Sequence, residues 1–97
     1  YIDDHYREPL SLEMLSSVFG YNKYYFSRLF NSYIGESLNG YINAVRVRNL
    51  ISEARRTENP NLSDLVFANG FDSMTTFYRN FAKYYDKPPT EVFRSKQ

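Results

Sequence analysis

Two arginines, Arg28 and Arg79, lie in stretches whose other polar residues are hydrogen-bond donors and include no acid. If both stretches are helical, Arg28 shares one face with Tyr24, Ser27 and Asn31. Arg79 shares its face in the same way with Thr75, Tyr78 and Ala82. A guanidinium can donate two hydrogen bonds to one guanine, and hydroxyl or amide groups can reach base edges or phosphates. The residue types on both faces therefore suit contact with a nucleic acid.

Catalytic and metal-binding chemistry has little support in the sequence. The chain has no cysteine, which excludes disulfides and thiolate zinc sites, and it has one histidine, His5. A single imidazole beside Asp3 and Asp4 makes a poor metal site and supplies no base for a catalytic triad. No nucleophile with a matching base and no phosphate-binding loop can be assembled. We therefore expect no enzyme activity, no catalytic residue, no metal and no cofactor.

The length of 97 residues and the composition fit one compact domain. Aromatic residues make up 19% of the chain, and we expect its ten tyrosines and eight phenylalanines to supply much of the core. No apolar run approaches the length that spans a membrane, and we expect no secretory signal. Because the chain opens on Tyr1, we interpret it as the C-terminal part excised from a longer cytoplasmic protein.

Basic residues are concentrated locally, although the formal net charge is only +1. Residues 46–56 carry four arginines and a single acid. Two further windows, residues 14–35 and 73–85, contain basic residues and no acid. The near-neutral total therefore conceals two local basic faces.

The apolar residues recur at three- and four-residue steps, which predicts an all-α fold. Ser11 is a suitable N-cap for a short helix over residues 12–19, and Gly20 can end that helix in the left-handed conformation. A second helix follows the turn and ends near Gly35. It is predicted to turn one apolar stripe inward: Phe26, Leu29, Phe30 and Tyr33.

The same pattern occurs twice in the chain. Aligning Gly70 with Gly20, an offset of 50 residues, also pairs Leu62 with Leu12 and Leu65 with Leu15. After the turn, an offset of 51 residues pairs Phe77 with Phe26, Arg79 with Arg28, Phe81 with Phe30 and Tyr84 with Tyr33. Two short helices around a glycine turn form a helix-turn-helix unit, whose second helix enters a DNA major groove.

A longer helix is predicted between the two repeats. Ser37 can cap it, it runs to about Arg56, and its inward residues are Val47, Leu50, Ile51 and Ala54. We therefore expect about seven helices in one domain. Residues 1–36 and 57–97 form two helix-turn-helix subdomains, and residues 37–56 form a connector helix.

The chain resembles the DNA-binding domain of AraC/XylS-family transcription regulators over almost all of its 97 residues. The resemblance rests on three stretches: EPLSLEMLSSVFGYNKYYFSRLF, GESLNGYI and LSDLVFANGFDSMTTFYRNFAKYYDKPPTEVFR. The last stretch is closest to the MarA and SoxS type, whose Asp-x-Pro-Pro it matches at residues 86–89.

The resemblance implies sequence-specific binding of double-stranded DNA through two recognition helices in successive major grooves. Carried over by position, the DNA-binding residues are Tyr24, Ser27, Arg28, Met74, Thr75, Thr76, Tyr78 and Arg79. The resemblance also implies activation of transcription at a promoter or operator through contact with RNA polymerase. Because the two motifs differ in sequence, we expect the isolated domain to bind as a monomer to an asymmetric DNA site. We expect no membrane partner.

Three features depart from the family pattern. Ser27 and Met74 stand where the MarA type has glutamine, so base preference should differ there. Val66 replaces a small alanine at the helix crossing, and Val92 is one extra residue near the end. Among the arginines of the connector, the resemblance gives Arg46 a structural role.

Two other functions remain open. A module for single-stranded nucleic acid would need an exposed aromatic platform, whereas most tyrosines here lie at core spacing. A helical protein-interaction module would use the apolar stripes as a partner surface instead of a core. A preference for single strands would favour the first, and the absence of a DNA shift at low salt would favour the second.

Overall fold

The computed structural model describes residues 1–94, which form seven α-helices and no strand. The helices are α1 (Ile2–His5), α2 (Leu12–Val18), α3 (Lys23–Ile34), α4 (Leu38–Arg56), α5 (Leu62–Ala68), α6 (Met74–Phe81) and α7 (Pro89–Arg94). The prediction of an all-α fold with about seven helices is confirmed.

Side-chain caps and glycines set most of the helix ends. Backbone N–H groups of the first turn donate to the capping side chains of Ser11, Asn22, Ser37, Asn61 and Ser73. Gly35 ends α3 with a φ of 85°, a conformation that favours glycine. The ends predicted for α2 and α4 agree with the structure to within one residue.

The apolar side chains form two separate clusters. The first core has three buried residues, Leu15, Leu38 and Ile42, with partly buried side chains around them. The second core has eleven buried residues: Val47, Leu50, Ile51, Ala54, Leu65, Val66, Phe71, Phe77, Phe81, Val92 and Phe93. The predicted inward stripe of α4 is confirmed, and so are the core positions of Phe77 and Phe81.

Two expectations about the aromatic residues were wrong. Tyr33 is 82% exposed instead of buried, because the inner face of α3 continues from Phe26 and Phe30 to Ile34, which lines the same apolar cavity, and not to Tyr33. Eight of the ten tyrosines are exposed, so the core depends on phenylalanine and aliphatic residues. A phenol keeps its hydroxyl hydrated more easily at a surface than in a core. Phe26 and Phe30 are only partly buried against the first core.

The long helix α4 holds the two cores at its two ends. Its N-terminal half carries Leu38 and Ile42 of the first core, and residues from Val47 onward belong to the second. Nineteen residues of helix extend about 28 Å. The molecule measures 44 × 23 × 22 Å, and its radius of gyration of 14.6 Å exceeds the roughly 12.5 Å of a compact domain of this length. The fold is therefore elongated along α4.

Arg46 has the structural role that the family resemblance implied. Its Nε donates a hydrogen bond to the carbonyl oxygen of Tyr6 at 2.8 Å, and its Nη2 donates to that of Glu8 at 2.9 Å. Burial lowers the pKa of the Arg46 guanidinium, and the negative charge of Asp72 opposes this shift. These contacts tie the start of the chain to the middle of α4.

Over residues 1–94, none of the helices combines the length and apolar character needed to cross a membrane. The same residues contain no group of three or more histidine or carboxylate side chains close enough to hold a metal ion.

Candidate nucleic-acid interface

The helix α3 turns one side to the first core and the other to solvent. The side chain of Asn22 fixes its start by accepting from the backbone N–H groups of Tyr24 at 2.9 Å and Tyr25 at 3.4 Å. Phe26 and Phe30 pack against the first core. On the other side, Tyr24 is 66% exposed and Arg28 is also exposed, while Ser27 beside them is half-buried.

The helix α6 is placed in the same way at the other end of the molecule. Ser73 Oγ accepts from the backbone N–H of Thr76 at 3.1 Å. Phe77 is fully buried in the second core, whereas Thr75, Tyr78 and Arg79 are exposed on the opposite side. Because both phenylalanines of α6 lie on its inner side, the outer face of this helix is polar.

The side chains of Arg28 and Arg79 have no hydrogen-bond or ion-pair partner among residues 1–94. By contrast, all four arginines of α4 are bonded: Arg46 to two carbonyl oxygens, Arg48 to Asp3, Arg55 to Val92 and Arg56 to Ser52. An unpartnered guanidinium keeps its five N–H donors available. The two arginines at equivalent positions of the repeat are thus free to bind an external acceptor.

Two of the residues predicted to bind DNA are less exposed than their neighbours on α6. Met74 is partly buried and packs against the second core. Thr76 is half-buried, and its Oγ1 accepts a hydrogen bond from Ser73 Oγ at 3.0 Å. Both residues lie at the start of α6, where only part of each side chain is accessible.

An acid lies beside Lys23 in the fold, although the sequence window around Lys23 contains none. Glu13 of α2 lies across the α2–α3 interface, with its Oε2 3.4 Å from Lys23 Nζ. The pKa of the Glu13 carboxyl is lowered, first by its hydrogen bond to its own backbone N–H and then by the Lys23 ammonium. Lys23 Nζ also lies 5.2 Å from the ring centroid of Tyr24. The ammonium group is therefore shared between an acid and an aromatic ring of the outer face.

Two further side chains at the start of α3 lie beside the residues predicted to bind DNA. Tyr25 is 48% exposed, and its ring centroid lies 5.5 Å from that of Tyr21. Lys23 lies beside Tyr24 but was not counted among the contact residues. Their position in the first turn after the Gly20 turn is the signal that could have found them.

The two outer faces lie on opposite halves of the molecule. The helix α3 packs on α2 and α4, and α6 packs on α4 and α5. Successive major grooves on one side of B-DNA are about 34–36 Å apart. The 44 Å long axis of the protein is therefore long enough for one face to lie at each groove.

Comparison with known proteins gives a consistent result. Residues 15–95 match the model of a family described as a helix-turn-helix domain. The regulatory protein SoxS of Escherichia coli (strain K12) is 32% identical over 91 residues, which cover 94% of this chain and 84% of SoxS. The multiple antibiotic resistance protein MarA of Salmonella typhimurium is 35% identical over 89 residues, which cover 92% of this chain and 69% of MarA.

Two solved structures have the same fold. A Listeria innocua protein of unknown function is 32% identical, with a TM-score of 0.87 over 100% of this chain and 91% of its own. The C-terminal domain of AraT, a response regulator from Geobacillus stearothermophilus, is 22% identical, with a TM-score of 0.86 over 100% of this chain and 80% of its own. The second similarity concerns the fold alone.

Proposed function

Because the chain belongs to the AraC/XylS-type family of helix-turn-helix transcription regulators, we propose that α3 and α6 are its two recognition helices. They enter successive major grooves on one side of double-stranded DNA. The observation that carries this proposal is the pair of exposed arginines, Arg28 and Arg79. They occupy equivalent positions of the repeat, and neither has a partner among residues 1–94.

In this proposal the arginines read bases and their neighbours hold the helices in place. Arg28 and Arg79 donate bidentate hydrogen bonds to guanine, and the hydroxyl groups of Tyr24, Ser27, Thr75 and Tyr78 bond to bases or phosphates. Met74 and Thr76 contact DNA through the accessible part of their side chains. Because Ser27 and Met74 are shorter or less polar than glutamine, the preferred bases at those two positions differ from those of the MarA type.

The proposed division of the chain is supported by the two cores, which lie at the two ends of the shared helix α4. Residues 1–36 and 57–97 are two subdomains, each with one recognition helix, and residues 37–56 connect them. Since the two units differ in sequence and in core size, the domain binds as a monomer to an asymmetric site. The regulator acts as an activator in the cytoplasm by contacting RNA polymerase, and it has no enzyme activity.

A binding selection from randomised double-stranded DNA tests the proposal. The chain should enrich one site with two half-sites whose centres lie about one helical turn, or 10–10.5 base pairs, apart. Enrichment of a single half-site would show that only one of the two helices reads bases. No enrichment at low salt would refute sequence-specific binding.

The exposed tyrosines justify testing single-stranded DNA as a second candidate. Eight of the ten tyrosines are exposed, and base stacking on aromatic rings is how many single-strand binders work. The duplex proposal predicts that a single strand of the selected site competes poorly for binding. Tighter binding of the single strand than of the duplex would favour the second candidate.

A further inference from the structure

Residues 6–8, called the strap below, lie between the two helix-turn-helix units although they precede both in the chain. On either side of the strap, Ile2 and Leu10 pack against the first core. The strap itself contacts α4 and the turn of the second unit, as its hydrogen bonds and close approaches show. It is therefore anchored at both ends in one subdomain and at its middle in the other.

Arg46 forms the centre of this contact. Its guanidinium donates to the carbonyl oxygens of Tyr6 and Glu8 at 2.8 and 2.9 Å, and its Nη1 donates to Asn43 Oδ1 at 3.4 Å. The same group lies 6.0 Å from the ring centroid of Phe71, which belongs to the second core. One side chain of α4 thus holds the strap against the second subdomain, and the three N–H donors it uses are part of the rigid guanidinium plane.

Gly70 makes room for the strap in the turn of the second unit. Its φ is +100°, and a Cβ atom at this position would collide with the carbonyl oxygen of Tyr6 and lie 2.8 Å from Arg46 Nε. The equivalent Gly20 also has a positive φ, but nothing lies within 4 Å of its Cβ position. The close approach at Gly70 is therefore a property of the strap and not a general requirement of the turn.

A second contact reinforces the first. Arg7 Nη2 lies 3.6 Å from Glu53 Oε1, and the same oxygen accepts a hydrogen bond from Asn69 Nδ2 at 3.1 Å. Asn69 is fully buried in the turn of the second unit. Glu53 of α4 therefore joins the middle of the strap to the residue that precedes Gly70.

We propose that the strap, held by Arg46, is a second connection between the two units, which fixes the distance and angle between α3 and α6 and so selects the half-site spacing. A single helix such as α4 can bend and twist, whereas two connections between the same bodies restrict both motions. The selection of spacing rests on the proposed DNA contacts of α3 and α6. The restriction of the angle does not, because it is a property of the free protein.

Half-site spacing is a sensitive readout of this geometry. Adding one base pair moves the second half-site by about 3.4 Å and rotates it by about 34–36° around the duplex axis. A rigid protein cannot follow both changes without losing base contacts. We expect wild type to lose affinity roughly tenfold or more per inserted or deleted base pair, which corresponds to one lost bidentate contact.

The first test replaces Arg46 by methionine, which keeps an unbranched apolar stem and removes the guanidinium. Binding is measured on the selected site and on versions with one or two base pairs added or removed between the half-sites. Arg46→Met should reduce the penalty per base pair to below about threefold, because the two units can then reorient. Arg48→Met is the matched control: it removes the same charge from the same helix, but its partner Asp3 forms only an exposed pair at 3.7 Å.

The second test measures the angle without DNA. The chain has no cysteine, so spin labels can be placed only where cysteines are introduced, at the exposed Ser32 beside the end of α3 and at Lys83 just after α6. The distance distribution between the labels should broaden in Arg46→Met and stay narrow in Arg48→Met. Glu53→Gln removes only the charge that attracts Arg7, so it should broaden the distance distribution less than Arg46→Met does. It replaces Arg46→Met in this test if that variant does not fold.

The outcomes show whether a failure concerns the strap as a connection or the proposed recognition of DNA. Unchanged label distances in folded Arg46→Met and in Glu53→Gln overturn the second connection, whatever the DNA results are. Broadened distances with an unchanged spacing penalty keep the connection and overturn its role in selecting half-sites. If wild type shows no sequence preference at all, the proposed function fails, while the label distances still decide whether the strap restricts the two units.

Discussion

Arg28 and Arg79 keep their guanidinium groups in solvent, whereas all four arginines of α4 bond to other groups of the protein. If each free guanidinium reads a base pair, Arg28→Ala should cost about 1–3 kcal/mol on the preferred site. It should relax base preference only in the half-site that faces α3, and Arg79→Ala should relax only the other. The measurement is a randomised-site selection on wild type and both variants at one fixed salt concentration.

Arg56→Ala is the control for this experiment. It removes the same charge from an exposed arginine whose hydrogen bond goes to Ser52 of its own helix. A uniform loss of affinity over all sequences would show that the substituted arginine binds phosphate instead of bases. If neither Arg28→Ala nor Arg79→Ala changes binding, the assignment of both outer faces is wrong.

The pairing of Lys23 with Glu13 restrains a basic side chain beside the outer face of α3. In Glu13→Gln the ammonium group is released and can bind a DNA phosphate, so affinity at low salt should rise. The slope of log affinity against log salt should steepen by about one. Glu58→Gln, the same charge change in the loop between α4 and α5, is the control for a general electrostatic effect. Equal slopes in both variants would show that Lys23 does not reach phosphate.

Glu13 also makes a pH-dependent contribution to stability, first through the hydrogen bond to its own backbone N–H and then through Lys23, which together lower its pKa. The pKa of Glu13 is lower in the folded protein than its ordinary value. Its contribution to stability is therefore fully present above that ordinary value and is lost as the pH falls through the lowered pKa. The comparison of Glu13→Gln with wild type is accordingly made near pH 7, where the carboxylate is charged.

Among the helices, those with strong local signals could be predicted from the sequence. Ser37 and Gly35 are a side-chain cap and a left-handed stop, and both act within a few residues of their own position. The helix wheel of α3 was correct at Phe26 and Phe30 but wrong at Tyr33. Which side of α3 is covered depends on how α2 and α4 pack against it, and that information is not local.

The unequal cores make a prediction about the two recognition helices. Phe81 of α6 is one of the eleven buried residues of the second core, whereas Phe30 of α3 is partly buried beside the three of the first. Phe81→Ala should therefore lower the free energy of unfolding by about 3–5 kcal/mol, and Phe30→Ala by less. Chemical denaturation followed by circular dichroism measures both losses. Equal losses would contradict the smaller contribution of the first core.

At the scale of the whole molecule, the sequence predicted the duplicated units and the helix between them but not the strap. Both units are visible as a repeat of spacing, and α4 has its own cap and stripe. The bonds of Arg46 to Tyr6 and Glu8 join residues 40 and 38 positions apart. Residue spacing cannot predict a bond from one side chain to backbone carbonyl groups, because every residue of any sequence offers such an acceptor. Arg46 was assigned a structural role through family resemblance, and the structure supplies the reason.

The charge of the whole molecule makes a final prediction about salt. A net charge of +1 gives little long-range attraction to DNA, but counterion release depends on the number of phosphates that are neutralised and not on the total charge. Affinity should therefore fall steeply as salt rises, with a linear plot of log affinity against log salt.

Lys83, just after α6, is exposed, and its side chain has no partner among residues 1–94. Lys83→Ala should therefore reduce the slope of that plot by about one. Arg48→Ala, whose side chain lies on α4 and pairs with Asp3, should leave the slope unchanged. A flat salt response of wild type would mean that its binding does not depend on phosphate contacts, and a slope change in Arg48→Ala would place α4 on the DNA-facing side of the molecule.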